Sequence, residues 1–160
     1  MLTQDEADAL LALPKKIVSS SVALPGPGNH GRVELESIGH PPGEHPHKFV
    51  IHITRARRLA NKFSLHLQTA SDEFLVRVDT GTVKSHFNPS KAPAFRLQAL
   101  AGQKVPTPHL QRYVESQNAF WAEPPPNPPF TNPNDLPTTW TGFLTYCNAV
   151  AIEGAQGGLL

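Results

Sequence analysis

The sequence predicts an α+β fold, with an antiparallel sheet of about five strands and an N-terminal and a C-terminal helix packed on it. Three features carry that expectation. Central segments alternate apolar and polar residues with the two-residue period of a half-buried strand. A capping box opens the chain, and an apolar stripe at helical spacing runs near its end.

The capping box is Thr3-Gln4-Asp5-Glu6: the Thr3 hydroxyl can accept from the Glu6 amide while the Glu6 carboxylate reaches back to the Thr3 amide. Ala7, Leu10 and Leu11 follow at helical spacing, and Pro14 ends the helix. After a Pro/Gly-rich loop, Arg32-Val33-Glu34-Leu35-Glu36 reads as the first strand. Phe49, Ile51 and Ile53 alternate with Val50, His52 and Thr54, and Phe63, Leu65 and Leu67 with Ser64, His66 and Gln68, giving two neighbouring antiparallel strands. Beyond the polar turn Ser71-Asp72-Glu73, Phe74, Val76 and Val78 should face the core, and Leu75, Arg77 and Asp79 the other side.

Leu110 and Val114 mark a further strand whose opposite face carries His109, Gln111, Tyr113 and Glu115. Asp135 caps the last helix with Pro137 in its first turn, and Leu136, Trp140, Phe143, Leu144 and Cys147 form its apolar stripe. Twelve of the 17 prolines fall in residues 24–46 and 124–137, which should be extended loops. Residues 1–153 should form one domain and residues 154–160 a flexible tail.

A charged fraction of 17% argues against charge-driven disorder. No run approaches the roughly 18 apolar residues of a membrane span. The lone Cys147 forms no internal disulfide, and the N-terminus has neither a basic region nor an apolar run, so the expected location is cytoplasmic. Net charge is +1, yet Lys48, Arg55, Arg57, Arg58 and Lys62 fall in a stretch without acids, a local positive patch suited to a phosphate backbone.

Chemistry concentrates between Arg77 and Glu115, where Arg77, Asp79, His86, Asn88, His109, Arg112, Tyr113 and Glu115 combine near-neutral acid/base groups, fixed cations and hydrogen-bonding groups. Metal-independent RNA cleavage needs a base for the 2′-hydroxyl, an acid for the leaving oxygen and a cation for the phosphate, and these residue types supply all three. His40, His45 and His47, with Glu44, could share a metal by spacing, but the Pro/Gly-rich setting and the lack of thiolates favour a surface loop. The expectation is therefore no metal and no cofactor. His52-Ile53-Thr54 is a single H-x-T where cyclic phosphodiesterases carry two, and no P-loop, G-x-G-x-x-G, H-E-x-x-H or G-x-S-x-G is present. Cys147 lies on the apolar stripe and reads as a small hydrophobe.

Taken together, Phe74-Leu75-Val76-Arg77-Val78-Asp79-Thr80-Gly81, His86-Phe87-Asn88-Pro89, Pro108-His109-Leu110-Gln111-Arg112-Tyr113-Val114-Glu115 and Trp121-Ala122 resemble an uncharacterised bacterial and mobile-element domain family. The core of that family reads R-L-D-x-G, H-x-N-P-D-G, P-H-L-H-x-Y-x-E and W-A. The polar core is also distantly similar to the TumE group of toxin-antitoxin toxins. Two departures matter: Gln111 stands where the pattern has its second histidine, and Ser90-Lys91 followed by residues 92–101 replaces the D-G after N-P. If the two histidines act as an acid/base pair, His86 or Glu115 would have to substitute for the missing one.

The expected activity is that of a small RNA-cleaving toxin or toxin-derived defence protein, with His109 as base, His86 or Glu115 as acid and Tyr113 beside them. Arg77 and Arg112 would hold phosphate, with Asn88, Asp79 and Gln111 in the pocket and Arg55, Arg57, Arg58 and Lys62 extending it along RNA. The alternative is a non-catalytic module that sequesters a nucleotide signal or occludes a partner protein. An RNA or nucleotide ligand and a cognate antitoxin or defence-system protein are the partners these readings imply, without a membrane.

Overall fold

The computed structural model describes residues 1–20, 22–81, 85–115 and 121–150. Helix α1 (Gln4–Ala12) starts at the predicted capping box, with both reciprocal bonds of Thr3 and Glu6 formed. Strand β1 (Lys15–Ile17) follows, then the long strands β2 (His30–Ser37), β3 (Lys48–Arg55), β4 (Phe63–Thr69) and β5 (Phe74–Asp79) as an antiparallel meander. Strands β6 (His86–Phe87) and β7 (Lys104–Val105) pair in a separate ribbon around a 3-10 turn, Phe95–Leu100. Strands β8 (His109–Arg112) and β9 (Trp121–Glu123) return to the main sheet, and helix α2 (Leu136–Tyr146) leads into β10 (Ala149–Val150).

The sheet is eight-stranded, in the order β10-β1-β2-β3-β4-β5-β8-β9, and mixed, because β10 lies parallel to β1. The expectation of about five antiparallel strands is corrected by these pairings. The additional strands β1, β9 and β10 are two or three residues long, too short to show a period in sequence. Only their neighbours in space make them strands.

One face of the sheet is the core: Val33, Leu35, Ile51, Ile53, Leu65, Leu67, Val78 and Leu110 pack with Trp140, Phe143, Leu144 and Cys147 of α2 and Ala7 of α1. Asp135 caps α2 by accepting from the Thr138 amide at 2.9 Å, and every residue predicted for the α2 stripe is buried. Lys15 is buried too, yet its ammonium donates to the carbonyls of Leu11, Leu13 and Cys147 at 2.8, 2.8 and 2.9 Å. It thereby satisfies carbonyls at the C-terminal ends of both helices, while burial pushes its pKa down to about 8. Among the described residues no helix is long and apolar enough to cross a membrane.

Two side-chain assignments are corrected. A bulge between Leu67 and Gln68 shifts the register against β5, so Leu75 and Val76 are both buried, while Phe74 lies with its ring 5.2 Å from that of His66, on the polar face. Strand β8 ends at Arg112, so the alternation that would have kept Tyr113 and Glu115 beside His109 is broken. The predicted tail, residues 154–160, lies outside the described residues.

Candidate functional site

The face of the sheet away from the core carries a polar row that strand register dictates. Asp79 of β5 stands between Ser64 of β4 and His109 of β8, and Arg77 between His66 and Gln111. Both rows project to one side because alternate residues of a strand share a face. Arg77 Nε donates to Asp79 Oδ1 at 2.8 Å, and its terminal nitrogen is also 2.8 Å from that oxygen.

The other carboxylate oxygen accepts from the Gln111 amide nitrogen at 3.1 Å and lies 3.5 Å from His109 Nε2. Gln111 uses its second N–H toward His109 Nε2, at 2.9 Å, while His109 Nδ1 faces the Val105 carbonyl at 3.2 Å. A carbonyl can only accept, so Nδ1 carries the hydrogen and Nε2 presents its lone pair. Burial opposes the charge on Asp79, but His109 and the Arg77 guanidinium outweigh it and hold the carboxyl below its ordinary range.

The ribbon folds His86 over this row, its ring centroid 6.3 Å from that of His109 in an edge-to-face arrangement. From the opposite side comes the turn between β3 and β4. Thr80 donates to the Asn61 carbonyl at 2.6 Å, and Gly81 passes so close that a Cβ there would lie 2.2 Å from the same oxygen. This close approach fixes the turn and with it Lys62. The result is a cleft of about 470 Å³ lined by Lys62, Ser64, Arg77, Asp79, His86, His109 and Gln111, with Thr54, Ala56, Phe63, Thr80 and Ser85. Arg77 keeps 42% of its side chain exposed there, whereas His109 is 3% exposed.

The structure thus brings together Arg77, Asp79, His86, His109, Gln111 and Lys62. It does not bring the other predicted residues into the cleft. Asn88 is buried and bonded to the Leu100 carbonyl and to both backbone groups of Ala122, holding β9 to the loop. Arg112 points to the other side, 3.8 Å from Asp8 of α1. Tyr113 donates to the Leu2 carbonyl, and Glu115 accepts from the Gln4 amide at 2.7 Å, so both tether the N-terminus. Arg55 donates to the Pro25 carbonyl, while Arg57 and Arg58 are exposed on the turn that carries Lys62.

His66 and Ser64 belong to the row and were not singled out in the sequence. Both lie on the polar face of a predicted strand, and only knowledge of which strand neighbours β5 would have marked them. Desolvation, Arg77 and His52 push His66 down to about 4, so it is neutral at neutral pH. His40, His45 and His47 are all exposed, and among the described residues no group of three or more metal-binding side chains gathers. A larger groove of about 880 Å³ lies elsewhere, between α1 and the ends of β3 and β4, where Leu2, Leu10, Leu13 and Phe49 line it together with Glu6, His47, Lys48 and Glu73.

No curated protein and no solved structure matches the chain. A family model does, over residues 2–149, and its description is a family of unknown function, DUF6978. With a match over nearly its whole length, the chain belongs to that family.

Proposed function

We propose that the cleft binds the phosphodiester backbone of RNA and cleaves it without a metal, as expected of a small toxin or toxin-derived defence protein. The observation that carries this reading is the pair of imidazoles, His86 and His109, 6.3 Å apart in a cleft that Arg77 also lines. His109 Nε2 takes the 2′-hydroxyl proton, and the 2′-oxygen attacks phosphorus. The bond from phosphorus to the 5′-oxygen breaks, and protonated His86 gives its proton to that oxygen. The products are a 2′,3′-cyclic phosphate and a 5′-hydroxyl end.

Arg77 and Lys62 hold the non-bridging oxygens, and Asp79 stabilises the imidazolium formed at His109. The resemblance of the polar core to TumE-type toxins supports the same reading, with a cognate antitoxin or defence-system protein as partner.

A second reading, a pocket that sequesters a nucleotide without turnover, is favoured by one contact: the Gln111 amide occupies the lone pair that the base would use. Incubating labelled RNA with the protein in EDTA separates the two. Cleavage to cyclic-phosphate ends supports the first. Intact RNA, with a nucleotide found bound by native mass spectrometry, overturns it in favour of the second.

A further inference from the structure

Beyond the cleft the same sheet face continues across the meander, and its composition there is unusual for a solvated sheet. Arg32, His52, His66 and Arg77 are direct cross-strand neighbours on β2, β3, β4 and β5. The rings of His52 and His66 are 6.0 Å apart, and Phe74 is 5.2 Å from His66, so the His66 ring adjoins both of the others, with Arg32 and Arg77 at the ends of the cross-strand row. At a strand spacing of about 4.8 Å the row spans roughly 14 Å.

We propose that this face is a platform for single-stranded RNA, on which bases stack against His52, His66 and Phe74 while the backbone runs from Arg77 toward Arg32. The inference rests on the reading of the cleft as an RNA site and names the form of substrate it takes.

Stacking platforms on open sheets recognise splayed single strands, because every base has a π-face and a duplex hides it. Acidic groups share the face, since Glu34 and Glu36 follow Arg32 on β2 and Asp72 bears on His52, so the positive charge that suits this occupant lies at the cleft end. Arg32 meets Glu34 only at 3.5 Å, with both side chains 58% exposed, a contact weak enough for a phosphate to replace. Asp79 is committed to Arg77, Gln111 and His109, and the surplus positive charge comes from Lys62, Arg57 and Arg58 on the adjoining turn. Burial lowers the pKa of His52 and of His66, so both rings resist taking up a charge.

The test measures binding of an uncleavable 2′-O-methyl oligouridine of about twelve nucleotides, of the same length of duplex, and of uridine monophosphate. The platform predicts that His52→Ala and Phe74→Leu each weaken the oligonucleotide about tenfold. Arg32→Gln should lower the salt slope by about 0.7. Binding of the monophosphate should stay unchanged in all three variants, and the duplex should bind weakly. His52 and Arg32 lie near the edge of the meander, and an unchanged melting temperature of their variants removes misfolding as a cause.

Oligonucleotide binding indifferent to His52→Ala and Arg32→Gln, with the monophosphate still bound, overturns the platform and leaves the cleft reading intact. Equal affinity for the duplex also overturns it. Loss of oligonucleotide binding in His52→Ala, in a protein that never binds the monophosphate, supports the platform and sinks the cleft reading instead.

Discussion

Gln111 donates from its amide nitrogen to His109 Nε2 at 2.9 Å, and the same nitrogen donates to Asp79 Oδ2 at 3.1 Å. One side chain therefore closes the polar row. Replacing it by histidine puts a titratable ring beside Asp79 and frees the lone pair of His109. Gln111→His should raise the rate of RNA cleavage in EDTA by about tenfold or more. A rate equal to or below wild type, in a variant that melts normally, would show that Gln111 is not what restrains the base.

The positions of His86 and Glu115 separate the two acids considered from sequence. Glu115 accepts from the Gln4 amide and is bound to the start of α1, outside the cleft. His86→Ala should cut cleavage by about 10²- to 10⁴-fold. Glu115→Gln should leave it unchanged and lower stability by about 1 kcal/mol, since it weakens a charge-assisted bond at a helix start. Single-turnover rates and urea melts on both variants read the two effects apart.

His66 makes stability depend on pH. Its pKa is pushed down from 6.5 to about 4 by desolvation first, then by Arg77 and His52, against the pull of Asp79. Above about pH 6.5 both folded and unfolded chains hold a neutral ring and the stability is fully present. Below that value the unfolded chain takes up a proton that the folded one refuses. Stability is therefore lost as pH falls from about 6.5 to 4, by about 2 kcal/mol after allowing for the ring's partial exposure. Urea unfolding of His66→Gln should show that part of the slope removed, and an identical slope in the variant would assign it to other groups.

Gly81 has φ +61° and would place a Cβ 2.2 Å from the Asn61 carbonyl oxygen. Backbone cannot yield there as a long side chain would. Gly81→Ala should cost more than about 2 kcal/mol and move the turn carrying Lys62. A melt within a degree of wild type would mean that the two segments do not pack this closely.

The local elements were legible from sequence because their causes are local. Thr3 and Glu6 cap α1 within one turn, Asp135 caps α2, and the alternation of Phe49 to Thr54 or Phe63 to Gln68 needs only the pleat of a strand. The same alternation was enough to put Arg77 with Asp79, and His109 with Gln111, on the side away from the core. It failed where the chain departs from regular pleating: at the bulge that turned Phe74 outward, and at Arg112, where β8 stops and releases Tyr113 and Glu115 to the N-terminus.

Which strands lie side by side was decided only in three dimensions. The pairing of β4 with β5 added His66 to the row, the ribbon of β6 and β7 carried His86 to within reach of His109, and the parallel contact of β10 with β1 made the sheet mixed. These contacts join residues far apart in the chain, and their free energy comes from burying shared surface and pairing backbone groups across it. No short window of sequence contains both partners, so periodicity could supply the faces of this protein but not their neighbours.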